Sequence, residues 1–129
     1  MKLAYVDTSC LVAVALNEPR GRETAEGFAL FSRLVASNLL EAELRSALAR
    51  ERVRADCAPL FSAISWVLPD RPLTTEFREV LGLGRVKGAD LWHLACALFL
   101  KQRLAGLSFL TLDRRQRELA EALGLETGP

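Results

Sequence analysis

Leu3-Ala4-Tyr5-Val6-Asp7-Thr8-Ser9 is the stretch that decides the fold. A short apolar run ends in a carboxylate, and a new apolar stretch, Cys10 to Leu16, follows at once. That is the pattern of a buried strand giving way to a helix. Phe109-Leu110-Thr111-Leu112-Asp113 repeats it near the other end of the chain. In open parallel α/β sheets, ligands collect outside the carboxyl ends of the strands. If the two strands are neighbours, Asp7 and Asp113 lie side by side at one edge, and the expected occupant between them is a cation.

Working outward from these two segments, the spacing of apolar residues predicts strands at 3–7, 34–36, 66–68 and 108–112. Helices are expected at 9–16, 21–32, 39–53, 56–65, 73–82, 89–104 and 114–123. Ser9, Ser37 with Asn38, and Thr74 or Thr75 stand near helix starts, and Gly124 closes the last helix. The 89–104 helix is the most apolar and is expected to be buried on most sides. Short apolar strands alternating with helices argue for a parallel sheet covered on both faces. The fold class is therefore α/β, a three-layer α/β/α sandwich with four to five short strands.

The chain has 129 residues, the usual length of one domain, and half of them are hydrophobic. A net charge of +1 gives no bulk field for nucleic acid, so attraction for phosphate must come from local clusters. Cys10, Cys57 and Cys96 are widely spaced and form no C-x-x-C pair. They read as free thiols buried as small hydrophobes, which fits a reducing cytoplasm. No signal peptide is seen at the N-terminus, and no apolar stretch is long enough to span a bilayer.

Four acids stand out. Asp7 has the weakest structural alternative, because Ser9 could cap the following helix better. Asp113 could equally be an N-cap, with Gln116 at the third helical position. Asp90 sits near the start of the 89–104 helix, where the dipole favours negative charge. Its neighbours Leu91, Trp92, Leu94 and Ala95 are apolar, so an acid there needs a partner. In the 39–53 helix, Glu41 falls third after Asn38 and can return a bond to that cap. Glu43 has no such duty and borders the apolar stripe, which makes it the better site candidate. Hard divalent cations such as magnesium and manganese take such oxygen donors together with water and substrate phosphate. They can activate a water and stabilise charge on a phosphoryl oxygen, a design for phosphodiester hydrolysis without a nucleophilic side chain.

The chain resembles the PIN-domain ribonucleases, and within them the VapC-type toxins of toxin–antitoxin pairs. The resemblance lies in YVDTS (5–9), SNLLEAELRSAL (37–48), GADLWHLACAL (88–98) and FLTLDRRQRELAEALGLE (109–126). These segments come in the family's order and span nearly the whole chain. The resemblance implies one PIN-like nuclease domain over residues 1–129 that cuts RNA with magnesium or manganese. It implies Asp7, Glu43, Asp90 and Asp113 as the catalytic, metal-binding acids, with Asp7 and Asp90 the direct ligands. Thr8 and Thr111 are similar to hydroxyl positions that support the pocket. It further implies a homodimer held inactive by an antitoxin protein.

Among the remaining features, His93 follows Asp90 by three residues and reads as a hydrogen-bonded structural histidine. Arg85 and Lys87 precede Asp90, while Arg114, Arg115 and Arg117 follow Asp113, so these cations could position RNA by its phosphates. Arg45, Arg50, Arg52 and Arg54 read as a solvated face, and Trp66 and Trp92 as core. Two competing readings are a non-catalytic RNA- or protein-binding module on the same fold and a phosphoacceptor signalling domain. The latter needs an acidic pair after its first strand, where Thr8-Ser9 stands instead.

Overall fold

A computed structural model describes residues 2–128. Among these residues the elements run β1 (Leu3–Val6), α1 (Thr8–Ala15), α2 (Gly21–Phe28), β2 (Arg33–Ser37), α3 (Leu39–Arg50), α4 (Ala58–Ser62), β3 (Ile64–Val67), α5 (Thr74–Leu81), α6 (Gly88–Lys101), β4 (Ser108–Leu110) and α7 (Arg114–Ala122). The four strands form a parallel sheet in the order β3-β2-β1-β4.

Strand alternation sorts the core into two layers. Tyr5, Val35, Val67 and Phe109 face α5, α6 and α7. Ala4, Val6, Leu34, Ala36 and Ile64 face α1 and α3. Connections up to β3 therefore cover one face, and those after it cover the other. The chain moves outward from β1 to β3, then returns to place β4 on the opposite side of β1. That reversal is the switch point where open sheets bind ligands. Tyr5 and Phe109 stack across it, with ring centroids 5.6 Å apart. Such a pair contributes about 0.5–1.5 kcal/mol beyond its buried area. No helix among the described residues is long and apolar enough to cross a membrane.

The α/β sandwich and the adjacency of the first and fourth strands are as expected, with four strands present. His93 to Phe99 of α6 are all buried, and so are the three free cysteines. Trp66 and Trp92 are partly buried rather than fully enclosed, each packed against a core cluster.

Several boundaries differ from the expectation. The third strand begins at Ile64, so the expected 56–65 helix shortens to α4. Pairing of Ile64 with Leu34 overrides the local helical pattern. Leu68, expected in that strand, lies past its end and is 77% exposed. The 39–53 helix stops at Arg50 because Arg52 adopts a left-handed conformation, φ 55°, that ends it. Asn38 is itself helical and makes no side-chain cap; the Ser37 hydroxyl accepts from the Leu39 N–H instead. Thr74 and Thr75 do not cap α5 either. Gly124 closes α7 as expected, at φ +83°, a conformation glycine adopts without strain.

One buried acid escaped the sequence. Glu76 on α5 is 1% exposed, gripped by both Arg71 guanidinium nitrogens at 3.0 and 2.7 Å, with Gln102 donating at 3.2 Å. Arg71 in turn lies over the Phe99 ring. The Arg71 hydrogen bonds are the chief cause that pulls the Glu76 carboxyl down to about 2.

Candidate active site

Asp7 ends β1 and caps α1: its Oδ1 accepts the Ser9 N–H at 2.8 Å. The expectation that Ser9 would be the better cap is wrong. Ser9 lies inside the helix, and its hydroxyl donates to the same Asp7 oxygen. The other oxygen, Oδ2, accepts from the Thr111 hydroxyl at 2.6 Å. Both hydroxyls are held in turn by the backbone that follows β4. The Leu112 N–H donates to Ser9 Oγ at 2.9 Å, and the Asp113 N–H donates to Thr111 Oγ1 at 3.0 Å. Each chain of donors starts at a fixed amide and ends on an Asp7 oxygen, so the carboxylate is aimed before any ligand arrives. Asp7 is only 4% exposed. Burial raises its pKa, although the bonds from Ser9 and Thr111 oppose that rise.

Glu43 reaches the same region from α3, whose buried stripe is Leu40, Leu44, Ala47 and Leu48. Its Oε1 accepts from the Thr8 hydroxyl at 2.6 Å and lies 2.7 Å from His93 Nε2. Burial is the largest influence and pushes its pKa up. Hydrogen bonds from His93 and Thr8 outweigh it, and Glu43 ends below its ordinary value. Glu41 instead bonds the Asn38 side-chain amide at 3.1 Å and pairs with Arg45 at 2.7 Å on the surface. Glu43, and not Glu41, therefore meets Thr8 and His93, and the bond Glu41 returns goes to the Asn38 side chain and not to the cap's backbone.

Asp90 lies in the first turn of α6 and is half-buried. Its pKa is raised, first by burial, then by the charges of Asp7, Asp113 and, more weakly, Glu43. The four acids therefore share one electrostatic neighbourhood. Among the described residues no hydrogen-bond donor relieves Asp90, unlike Asp7 and Glu43. Asp113 is exposed and caps α7 by accepting the Gln116 N–H at 3.0 Å. The Gln116 side chain does not close a capping box. Its amide donates to the Asp90 carbonyl at 3.0 Å, tying the start of α7 to the start of α6. Its Oε1 is buried without a donor among the described residues.

The cations divide. Arg85 and Lys87 are exposed in the loop before α6. Arg114 is exposed and pairs with Glu118 one turn on, at 3.2 Å. The exposed Arg115 guanidinium lies over Gly84 in the basic loop. Arg117 is structural: it donates to the Thr127 and Thr111 carbonyls at 3.1 and 3.2 Å. A cleft of about 230 Å³ opens behind Thr111 between α2 and β4, and none of the four acids lines it.

Sequence reasoning read Ser9, Ser37 and Gln116 only as helix starters or capping partners, and His93 as structural. Ser37 does serve the start of α3. The links of Ser9, Gln116 and His93 to the acids run to partners distant along the chain, which local spacing does not signal.

The donor set is carboxylate and hydroxyl oxygen, which suits a hard divalent cation. Among the described residues, no three His, Cys, Asp or Glu side chains form a group able to cage an ion. A divalent ion here would have to keep much of its water and take one or two carboxylates.

A family model described as PIN domain matches residues 4–122. No curated protein matches the chain.

Proposed function

Because the chain belongs to the PIN-domain family, whose members are in general metal-dependent nucleases, we propose that it is an endoribonuclease using magnesium or manganese. The observation that carries the reading is Asp90, a half-buried carboxylate without a donor, raised by burial and by the charges of three other acids. A cluster of acids without counter-charge repels itself, and a cation relieves it.

Asp7 and Asp90 would hold the ion, with Glu43 and Asp113 completing the pocket. When bound, such an ion supplies an acidified water and counter-charge for phosphoryl oxygens. The chain's own contribution is aim. Ser9 and Thr111 fix both Asp7 oxygens, and Thr8 and His93 fix one oxygen of Glu43. Arg85 and Lys87, just before Asp90 in the chain, and Arg114 and Arg115, just after Asp113, are exposed and would hold RNA by its phosphates.

The finer role, the toxin of a type II toxin–antitoxin pair working as a cytoplasmic homodimer, is supported by the likeness of the four motif segments to VapC-type toxins. A small antitoxin gene immediately upstream is the expected neighbour, and its absence would remove that part of the reading. The central test is cleavage of total RNA with Mg²⁺ or Mn²⁺, using Asp7→Asn as control. RNA left intact under every metal condition would overturn the enzyme and favour a non-catalytic binding module.

A further inference from the structure

The contact of His93 with Glu43 is the last link of a buried line of donors beneath the acidic pocket. The line starts at a backbone amide of β2: the Ser37 N–H points at the Tyr5 hydroxyl oxygen, 3.2 Å away. Tyr5 Oη lies 2.7 Å from His93 Nδ1, and His93 Nε2 lies 2.7 Å from Glu43 Oε1. Tyr5 and His93 are essentially inaccessible to solvent, so these groups must satisfy one another.

We propose that His93 is a positioning residue: held by Tyr5 with its hydrogen on Nε2, it fills Glu43 Oε1 and leaves Oε2 as the oxygen offered to a cation.

The assignment follows from counting hydrogens. An amide N–H can only donate, so the Tyr5 oxygen accepts from Ser37. Its own hydrogen is assigned to Nδ1, 2.7 Å away, because the acceptor-only carboxylate at the other ring nitrogen calls for the hydrogen on Nε2 and leaves Nδ1 bare. Nε2 is left as the protonated nitrogen, and a carboxylate, acceptor only, faces it at the distance of a charge-assisted bond. The reverse tautomer would set the Nε2 lone pair against the lone pairs of Glu43. Burial pushes the Tyr5 phenol well above its ordinary value, which keeps it a donor. Thr8 supplies the second donor to Oε1 at 2.6 Å. Among the described residues no donor reaches Oε2. Glu43 therefore enters the pocket with one oxygen engaged and one available. Because the line begins in the sheet, the position of the available oxygen is set by β1 and β2 and not by the mobility of a surface glutamate.

The role assigned to Oε2 rests on the metal-dependent reading above, and two measurements separate the two ideas. His93 is the only histidine, so a long-range ¹H–¹⁵N spectrum of the full chain without metal reads one imidazole. The expected result is hydrogen on Nε2 and none on Nδ1, with Tyr5→Phe admitting the second tautomer. A native ring protonated at Nδ1, alone or together with Nε2, would overturn the proposal. In the second measurement, Mn²⁺ affinity is read by loss of the free-ion electron paramagnetic resonance signal. Removing such a supporting partner costs about 10–100-fold in metal affinity, and that is the expected loss for His93→Ala. His93→Gln, which keeps a donor amide, should recover part of it; a merely structural role predicts no such rescue. Should His93→Ala not fold, Tyr5→Phe and His93→Gln carry the comparison. A folded His93→Ala that binds Mn²⁺ as tightly as the native chain overturns the positioning role. A native chain that binds no Mn²⁺ removes the metal reading and the role of Oε2 with it, whereas the tautomer result, obtained without metal, stands or falls by itself.

Discussion

Glu76 and Asp90 are acids held by neighbouring helices, α5 and α6, and the protein treats them in opposite ways. Glu76 is buried with its own counter-charge: Arg71 grips both oxygens, Gln102 adds a third donor, and the carboxyl falls to about 2. Asp90 has no donor and faces acidic neighbours, and its pKa rises. One arrangement is complete as the chain folds. The other would be completed by the cation of the proposed function. A buried acid by itself says little about function; whether the fold also supplies its counter-charge is what separates a structural acid from a site.

The contrast can be broken at several points. The largest effect is expected for Asp7→Asn, which keeps the shape and removes the charge of the best-fixed acid. Metal-assisted charge stabilisation is worth several kcal/mol, so RNA cleavage should fall at least about 100-fold. Chelation of divalent metal should do the same to the native chain. Residual cleavage near the native rate would assign the chemistry elsewhere.

Next in size is Glu76→Gln, expected to lower Tm by several degrees at neutral pH without changing metal affinity. The pH dependence fixes the sign. A carboxyl held low in the folded state contributes stability that is full above its unfolded value, near 4.3, and is lost as pH falls toward about 2. Native and variant melting temperatures should therefore converge over that window. A constant gap would mean that packing, not charge, makes the difference.

Smaller still is Asp90→Asn. A carboxyl raised in the folded state costs stability as pH rises through its folded value, so the variant should melt slightly higher than the native chain at neutral pH without metal. In acid the difference should vanish. Saturating Mg²⁺ or Mn²⁺ should raise the native Tm, because it binds the folded state alone, and this rise should shrink in the variant. Identical metal responses in the two would remove Asp90 from the ligand set.

Much of this was legible along the chain. The apolar runs before Asp7 and Asp113 are local, and periodicity alone places Asp7 at a strand end; β4 stops at Leu110, short of the expected 108–112, so Asp113 stands at the start of α7 instead. The absence of a capping duty separated Glu43 from Glu41, and apolar flanks marked Asp90 as an acid needing a partner. Boundaries were less legible where pairing decided them, as at Ile64, which β2 draws into the sheet, or where one backbone angle did, as at Arg52. The exchange of roles between Asp7 and Ser9 was hidden because both are good caps, and the outcome depends on the Leu112 amide that holds Ser9 from across the sheet edge.

The sequence by itself determined the α/β sandwich and the order of its elements, and it singled out the four acids proposed as the site. All of these follow from residue type and short-range spacing. The tertiary structure alone decided how the acids are held. Tyr5 meets His93 across 88 positions, Thr111 meets Asp7 across 104, and Gln116 reaches Asp90 across 26. Hydrogen bonds fail over a few tenths of an ångström, and no pattern in a linear chain fixes distances that finely. Only the packing of β1 between β2 and β4 brings those partners within reach.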